Sequence, residues 1–195
     1  MGGDVHIEAF SVDETWARLK RDADAVLIDV RTIAEWAYVG LPDLSSIEKQ
    51  PVLVEWQSFP DDRLNAAFVD RVAEALTPIG ANKNSELFFI CRSGVRSLKA
   101  ARAMAAAGYT RCRNVADGFE GPLDADRHRG RRAGWKASGL PWVQGYCARL
   151  EKCAPSLWRP TCMADGRFQR RGKKMTAEAA VGGGKVQLRR GQNAR

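Results

Sequence analysis

Residues 86–108, ELFFICRSGVRSLKAARAMAAAG, constrain the fold more than any other stretch of this chain. An apolar run, Leu87 to Ile90, ends at Cys91. Arg92-Ser93-Gly94-Val95-Arg96 follow with neither helical nor strand periodicity. Then Ser97 opens an Ala-rich stretch in which Leu98, Ala101, Met104 and Ala105 recur at helical spacing. The pattern predicts strand, tight loop, helix, with Ser97 as the N-cap and Gly108 just past the helix end. Cys91 then stands at the carboxyl end of a strand, where open α/β sheets place ligand sites. The helix N-terminus beside it favours an anion through its free N–H groups and dipole.

Those are the surroundings a reactive thiolate needs. A helix N-terminus and neighbouring cations lower the pKa of a thiol, and Arg92 and Arg96 both lie in the loop. Gly94 allows a positive φ, so that successive amides can converge on one sulfur. The reading requires amides turned inward and a thiol open to solvent. A phosphatase loop offers a competing pattern: Cys, five residues, then an Arg that binds two oxygens of a tetrahedral anion. Here the arginine comes one position early, at Arg96, and Ser97 occupies its place. Poor phosphatase activity is therefore expected.

The segment Cys91-Arg92-Ser93-Gly94-Val95-Arg96-Ser97 resembles the active-site loop of the rhodanese family of sulfurtransferases. Three further stretches are similar to that family, in family order. They are Leu27-Ile28-Asp29-Val30-Arg31 with Glu35-Trp36 and Gly40; Asn114-Val115 with Asp117-Gly118-Phe119 and Gly121; and Gly134-Trp135-Lys136 with Gly139-Leu140-Pro141-Trp142. One departure is visible: the His expected after the glycine is absent, and Gly40 is followed by Leu41-Pro42-Asp43. The resemblance implies a Cys91 persulfide that carries sulfane sulfur from an anionic donor such as thiosulfate to a thiophilic acceptor: cyanide, a thiol or a protein. Residues 92–97 would bind the donor and hold the sulfur, and no metal or organic cofactor is required. For Asp29 and Arg31 it implies buried ionic contacts rather than catalysis. The alternative is a non-enzymatic interaction or redox-sensing module that uses Cys91, with Cys112 as a resolving thiol.

The remaining elements fit an α/β fold. His6–Phe10 reads as a short first strand, and Ser11-Val12-Asp13-Glu14 as a capping box opening a helix to about Arg21. The nearly continuous apolar run Ala25–Val30 suits a strand covered on both faces. Thr32–Val39 reads as one or two helical turns, Pro51–Trp56 as a strand, Asn65–Leu76 as an amphipathic helix, Tyr109–Val115 as the last strand and Gly134–Pro141 as a last short helix. Strands alternating with helices predict a doubly wound, mainly parallel sheet of four or five strands with helices on both faces; the resemblance implies the rhodanese arrangement, with the strand before Cys91 central.

Composition bounds the rest. The chain has 195 residues, 45% of them hydrophobic, enough for one cored domain with an extension. The domain is expected over 1–145. Residues 146–195 carry twelve Lys or Arg against three acids, a charge of +9, whereas the whole chain carries +8. The basic excess therefore belongs to a tail read as disordered, and it argues against nucleic acid as the domain's partner; a weak anionic partner for the tail is the most it supports. Five irregularly spaced cysteines speak against a disulfide framework and for a reducing, cytoplasmic setting. Cys147, Cys153 and Cys162 have no histidine near them in the tail, which disfavours zinc. No apolar run is long enough for a membrane span.

Overall fold

A computed structural model describes residues 6–144 and the strand residues Thr161–Cys162 and Phe168–Gln169. The chain divides into two compact units, Met1–Arg159 and Pro160–Arg195. In the second, the described residues are one antiparallel pair, β8 (Thr161–Cys162) with β9 (Phe168–Gln169). The expectation of a basic tail from residue 146, with its questions about Cys147 and Cys153, otherwise falls outside the described residues.

The first unit is built on five parallel strands: β1 (Glu8–Phe10), β2 (Val26–Asp29), β4 (Val52–Leu53), β5 (Glu86–Ile90) and β6 (Arg111–Val115). Their order across the sheet is β1-β6-β5-β2-β4, so β5 is central as expected. All five of its residues are buried, in keeping with a strand covered on both faces. Four α-helices accompany the sheet: α1 (Val12–Arg21), α2 (Ile33–Tyr38), α3 (Phe68–Leu76) and α4 (Val95–Ala106).

Alternation along the strands feeds two cores. Ile28, Leu87, Phe89 and Cys91 meet Phe68, Val72 and Leu76 of α3 and Ala100, Ala101 and Met104 of α4. Leu27, Phe88 and Ile90 meet Val12 and Leu19 of α1, with Phe119 and Trp135. The small Ala residues of α4 let that helix lie close on the sheet. Ser11 closes the predicted capping box, its hydroxyl accepting from the Glu14 amide while Glu14 accepts from the Ser11 amide.

Two readings of the sequence need correction. The stretch 134–141 forms turns, not a helix, because Gly134 and Gly139 both sit at positive φ and interrupt a helical path. It leads into β7 (Trp142–Val143), which pairs antiparallel with β3 (Leu41–Pro42), the segment that departs from the rhodanese pattern. Helix α4 begins at Val95, and its N-cap is Gly94 at φ +92, so Ser97 lies inside the first turn instead of capping it. Among the described residues no helix is long and apolar enough to cross a membrane.

Candidate active site

The central strand delivers Cys91 to the carboxyl edge of the sheet, where the chain turns at once into α4. At that turn the Gly94 amide donates to Cys91 Sγ at 3.2 Å, and the Ser97 hydroxyl stands 3.3 Å from the same sulfur. Gly94 reaches this position through its positive φ. Ser97 is fully buried, and its hydroxyl also donates to Asn114 Oδ1 at 2.7 Å. Asn114 comes from β6, the neighbour of β5 in the sheet.

A second turn braces the loop from behind. The Phe119 amide donates to the Cys91 carbonyl at 2.8 Å, and the Glu120 and Gly121 amides donate to the Arg92 carbonyl at 3.0 and 3.2 Å. Cys91 itself is only 1% exposed and packs in the core formed with α3 and α4. The expectation of an open thiol is therefore not met: the sulfur is the floor of its loop, packed with that core.

The two loop arginines have different surroundings. Arg92 is exposed. Arg96 makes a two-pronged pair with Glu35, at 2.8 and 2.6 Å. Its charge is paired with α2, whereas the sequence reading put both arginines on the donor. Ser93 is half-buried and Val95 exposed.

Glu35 carries the heaviest load at this edge. It is the third helical residue of α2 and closes a capping box with Thr32. Burial pushes its carboxyl up. The Arg96 hydrogen bonds, the Thr32 amide and the Arg96 and Arg31 charges together outweigh burial and hold it at about 2, against an ordinary 4.5. A carboxyl with a depressed folded-state pKa stabilises fully above pH 4.5 and loses that contribution as pH falls towards 2. The shift corresponds to about 3 kcal/mol at most, less after solvent screening of a partly exposed pair. Urea midpoints measured from pH 6 to pH 2 should therefore fall more steeply for the native chain than for Glu35→Gln. Parallel curves would refute this role.

Asp29 and Arg31 lie beside the site and are wholly buried, with Arg31 Nη2 2.6 Å from Asp29 Oδ2. The same nitrogen donates to the Gly40 carbonyl at 2.8 Å, and the guanidinium lies 4.0 Å from the Phe119 ring centroid. This matches the structural role expected of the pair. Neither histidine has a bond to Cys91: His128 is exposed and its amide donates to Asp124, and His6 is exposed ahead of β1.

Cys112 is ruled out as a partner for Cys91 by register. It faces Leu87, four residues before Cys91 on β5. At about 3.3 Å per residue the two α-carbons are on the order of 13 Å apart, and a disulfide spans about 4.4–6.8 Å. Burial also raises the Cys112 thiol to about 11.

The comparisons with known proteins agree with the fold. The family model described as the STR4 middle domain matches residues 7–148. An uncharacterized Rickettsia rickettsii protein, an RP600 homolog, is 39% identical over 119 residues, 61% of this chain and 83% of that one. Thiosulfate sulfurtransferase 18 of Arabidopsis thaliana is 32% identical over 113 residues, 57% of this chain and 76% of its own. The crystal structure of Rv0390 from M. tuberculosis superposes with a TM-score of 0.65 at 42% identity, covering 72% of this chain and all of that one.

Proposed function

The chain belongs to the STR4 middle-domain family, and on that premise we propose that it is a sulfurtransferase working through a Cys91 persulfide. One observation carries the reading: an amide and a hydroxyl converge on a single sulfur at the carboxyl end of the central strand. Kinship with a thiosulfate sulfurtransferase supports it.

The chemistry is covalent catalysis in two half-reactions. The Cys91 thiolate attacks the outer sulfur of a small anionic donor such as thiosulfate. The donor's S–S bond breaks, and sulfite leaves with the electron pair. The outer sulfur stays on Cys91 as a persulfide anion. An acceptor, cyanide or a thiolate, then attacks that outer sulfur, takes it away and regenerates the Cys91 thiolate. Donors aimed at the sulfur hold its charge as an oxyanion hole holds developing charge on oxygen. Arg92, exposed at the loop, offers the cation that meets the donor. Cys91 is 1% exposed, so a donor reaches its sulfur only when the packing around the loop opens.

Intact-mass spectrometry after thiosulfate treatment tests this. The native chain should gain about 32 Da, one sulfur atom, and lose it on addition of cyanide. Cys91→Ser should gain nothing. A native chain that gains no sulfur, or a gain that survives in Cys91→Ser, overturns the proposal.

A further inference from the structure

The Ser97 hydroxyl has one proton and two neighbours able to accept it. Asn114 Oδ1 lies at 2.7 Å and Cys91 Sγ at 3.3 Å. All three groups are buried, so water does not readily make up for a lost bond. While Cys91 is a thiol, the shorter contact takes the hydroxyl proton to Asn114, and the S–H, a weak donor, can then complete the chain by donating to Ser97 Oγ. Once the sulfur is anionic it can only accept, and the hydroxyl must choose between a charged and a neutral acceptor. Bonds to a charged group are the stronger, so the hydroxyl turns to sulfur and the Asn114 oxygen loses its donor.

We propose that Asn114 is a positioning residue that acts through Ser97, holding the hydroxyl off Cys91 in the resting thiol and so setting how readily the sulfur becomes anionic. The proposal rests on the reading of Cys91 as the nucleophile. It assigns a role in thiol reactivity to a β6 residue that makes no hydrogen bond to the sulfur itself.

The charged groups around the sulfur do not supply this effect. Arg96 of α4 is paired with Glu35 of α2, and Asp29 of β2 with Arg31. Arg92 is exposed on the loop, as is Asp117 on the 117–121 turn. All keep their charge when Asn114 is replaced, so a change on replacement reports the hydroxyl.

The test is the pH dependence of iodoacetamide alkylation, followed at the Cys91-containing peptide in the full chain. No sulfur donor enters the assay, so its result is separate from that of the persulfide measurement. Asn114→Ala frees the hydroxyl for sulfur. Its profile should move to lower pH, with alkylation several-fold faster on the acid side of the midpoint. Ser97→Ala removes the donor, and its profile should move to higher pH. In the double variant the Asn114 change should add nothing to Ser97→Ala, because the hydroxyl it acts through is gone. A packing role for Asn114 would not produce a gain in reactivity that vanishes with Ser97. Should Asn114→Ala fail to fold, Asn114→Val keeps more volume, suits a strand and carries the same expectation. An Asn114 variant that folds with an unchanged or higher-pH profile overturns the proposal, as does a shift that persists undiminished in the Ser97→Ala background.

Discussion

Asp29→Ala is expected to destabilise the domain by about 3–5 kcal/mol, the cost of leaving a buried charge without its partner. Arg31 is fully buried, and its Nε and Nη2 both reach the Asp29 carboxylate. Its Nη1 already has no hydrogen-bond partner. Removing Asp29 would leave the guanidinium with the Gly40 carbonyl and the Phe119 ring, too little to offset the desolvation of a full charge. The loss is a large share of the stability of a domain this size, about 5–15 kcal/mol. Replacing both members at once, Asp29→Leu with Arg31→Met, removes the stranded charge and should cost less than Asp29→Ala alone. Urea denaturation of the two variants decides the matter. A single variant less than 1 kcal/mol below the native chain, or a double variant worse than the single, would show that the pair does not hold the end of β2.

This pair was legible in the sequence only through resemblance, because nothing local distinguishes a buried Asp-Val-Arg from an exposed one. The contrast with the two capping boxes is instructive. Ser11 and Glu14 satisfy each other within four residues, so the local rule finds them complete. Thr32 and Glu35 obey the same rule, and the box could have been read from their spacing. What spacing could not show is that Glu35 also receives Arg96, 61 residues away. Ser97 failed in the other direction. A serine ahead of an Ala-rich run is a sound N-cap candidate, but Gly94 can take the positive φ and start the helix earlier. That frees the serine side chain to face Cys91 and β6. The β3–β7 pair escaped for a plainer reason: its strands are two residues long and about a hundred residues apart, with no periodicity to detect. The alternation of strands with helices and the position of Cys91 were readable because they follow from the hydrophobic pattern, whereas the central place of β5 came only with the resemblance. The engagement of Arg96 and the bracing of the Cys91–Ser93 backbone by the 117–121 turn were not, because both depend on which distant segment returns to the same edge.

Gly118 is the residue on which the backbone of the active-site loop rests, and Gly118→Ala should damage stability and reactivity together. Gly118 sits at φ +64, and a Cβ there would strike the Cys91 carbonyl oxygen and come within 2.8 Å of the Arg92 carbonyl carbon and the Ser93 nitrogen. All three are backbone atoms of the loop, so no flexible side chain can move aside. The left-handed conformation costs about 1–2 kcal/mol for any residue with a Cβ, and overpacking adds about 1–3 kcal/mol. Gly139 supplies the control, since it sits at φ +66 with nothing within 4 Å of the same ideal Cβ. Gly139→Ala should therefore show the conformational cost alone and leave Cys91 reactivity as it was. In Gly118→Ala the excess must be relieved by shifting the Cys91–Ser93 backbone, which carries the thiol away from the Gly94 amide and the Ser97 hydroxyl. A displacement on the order of 1 Å at a reacting centre can cost about 100-fold in rate. Thermal midpoints and sulfur-transfer rates of the two variants, measured side by side, separate the contributions. If Gly118→Ala is no less stable than Gly139→Ala and transfers sulfur at the native rate, the 117–121 turn does not set the position of the thiol.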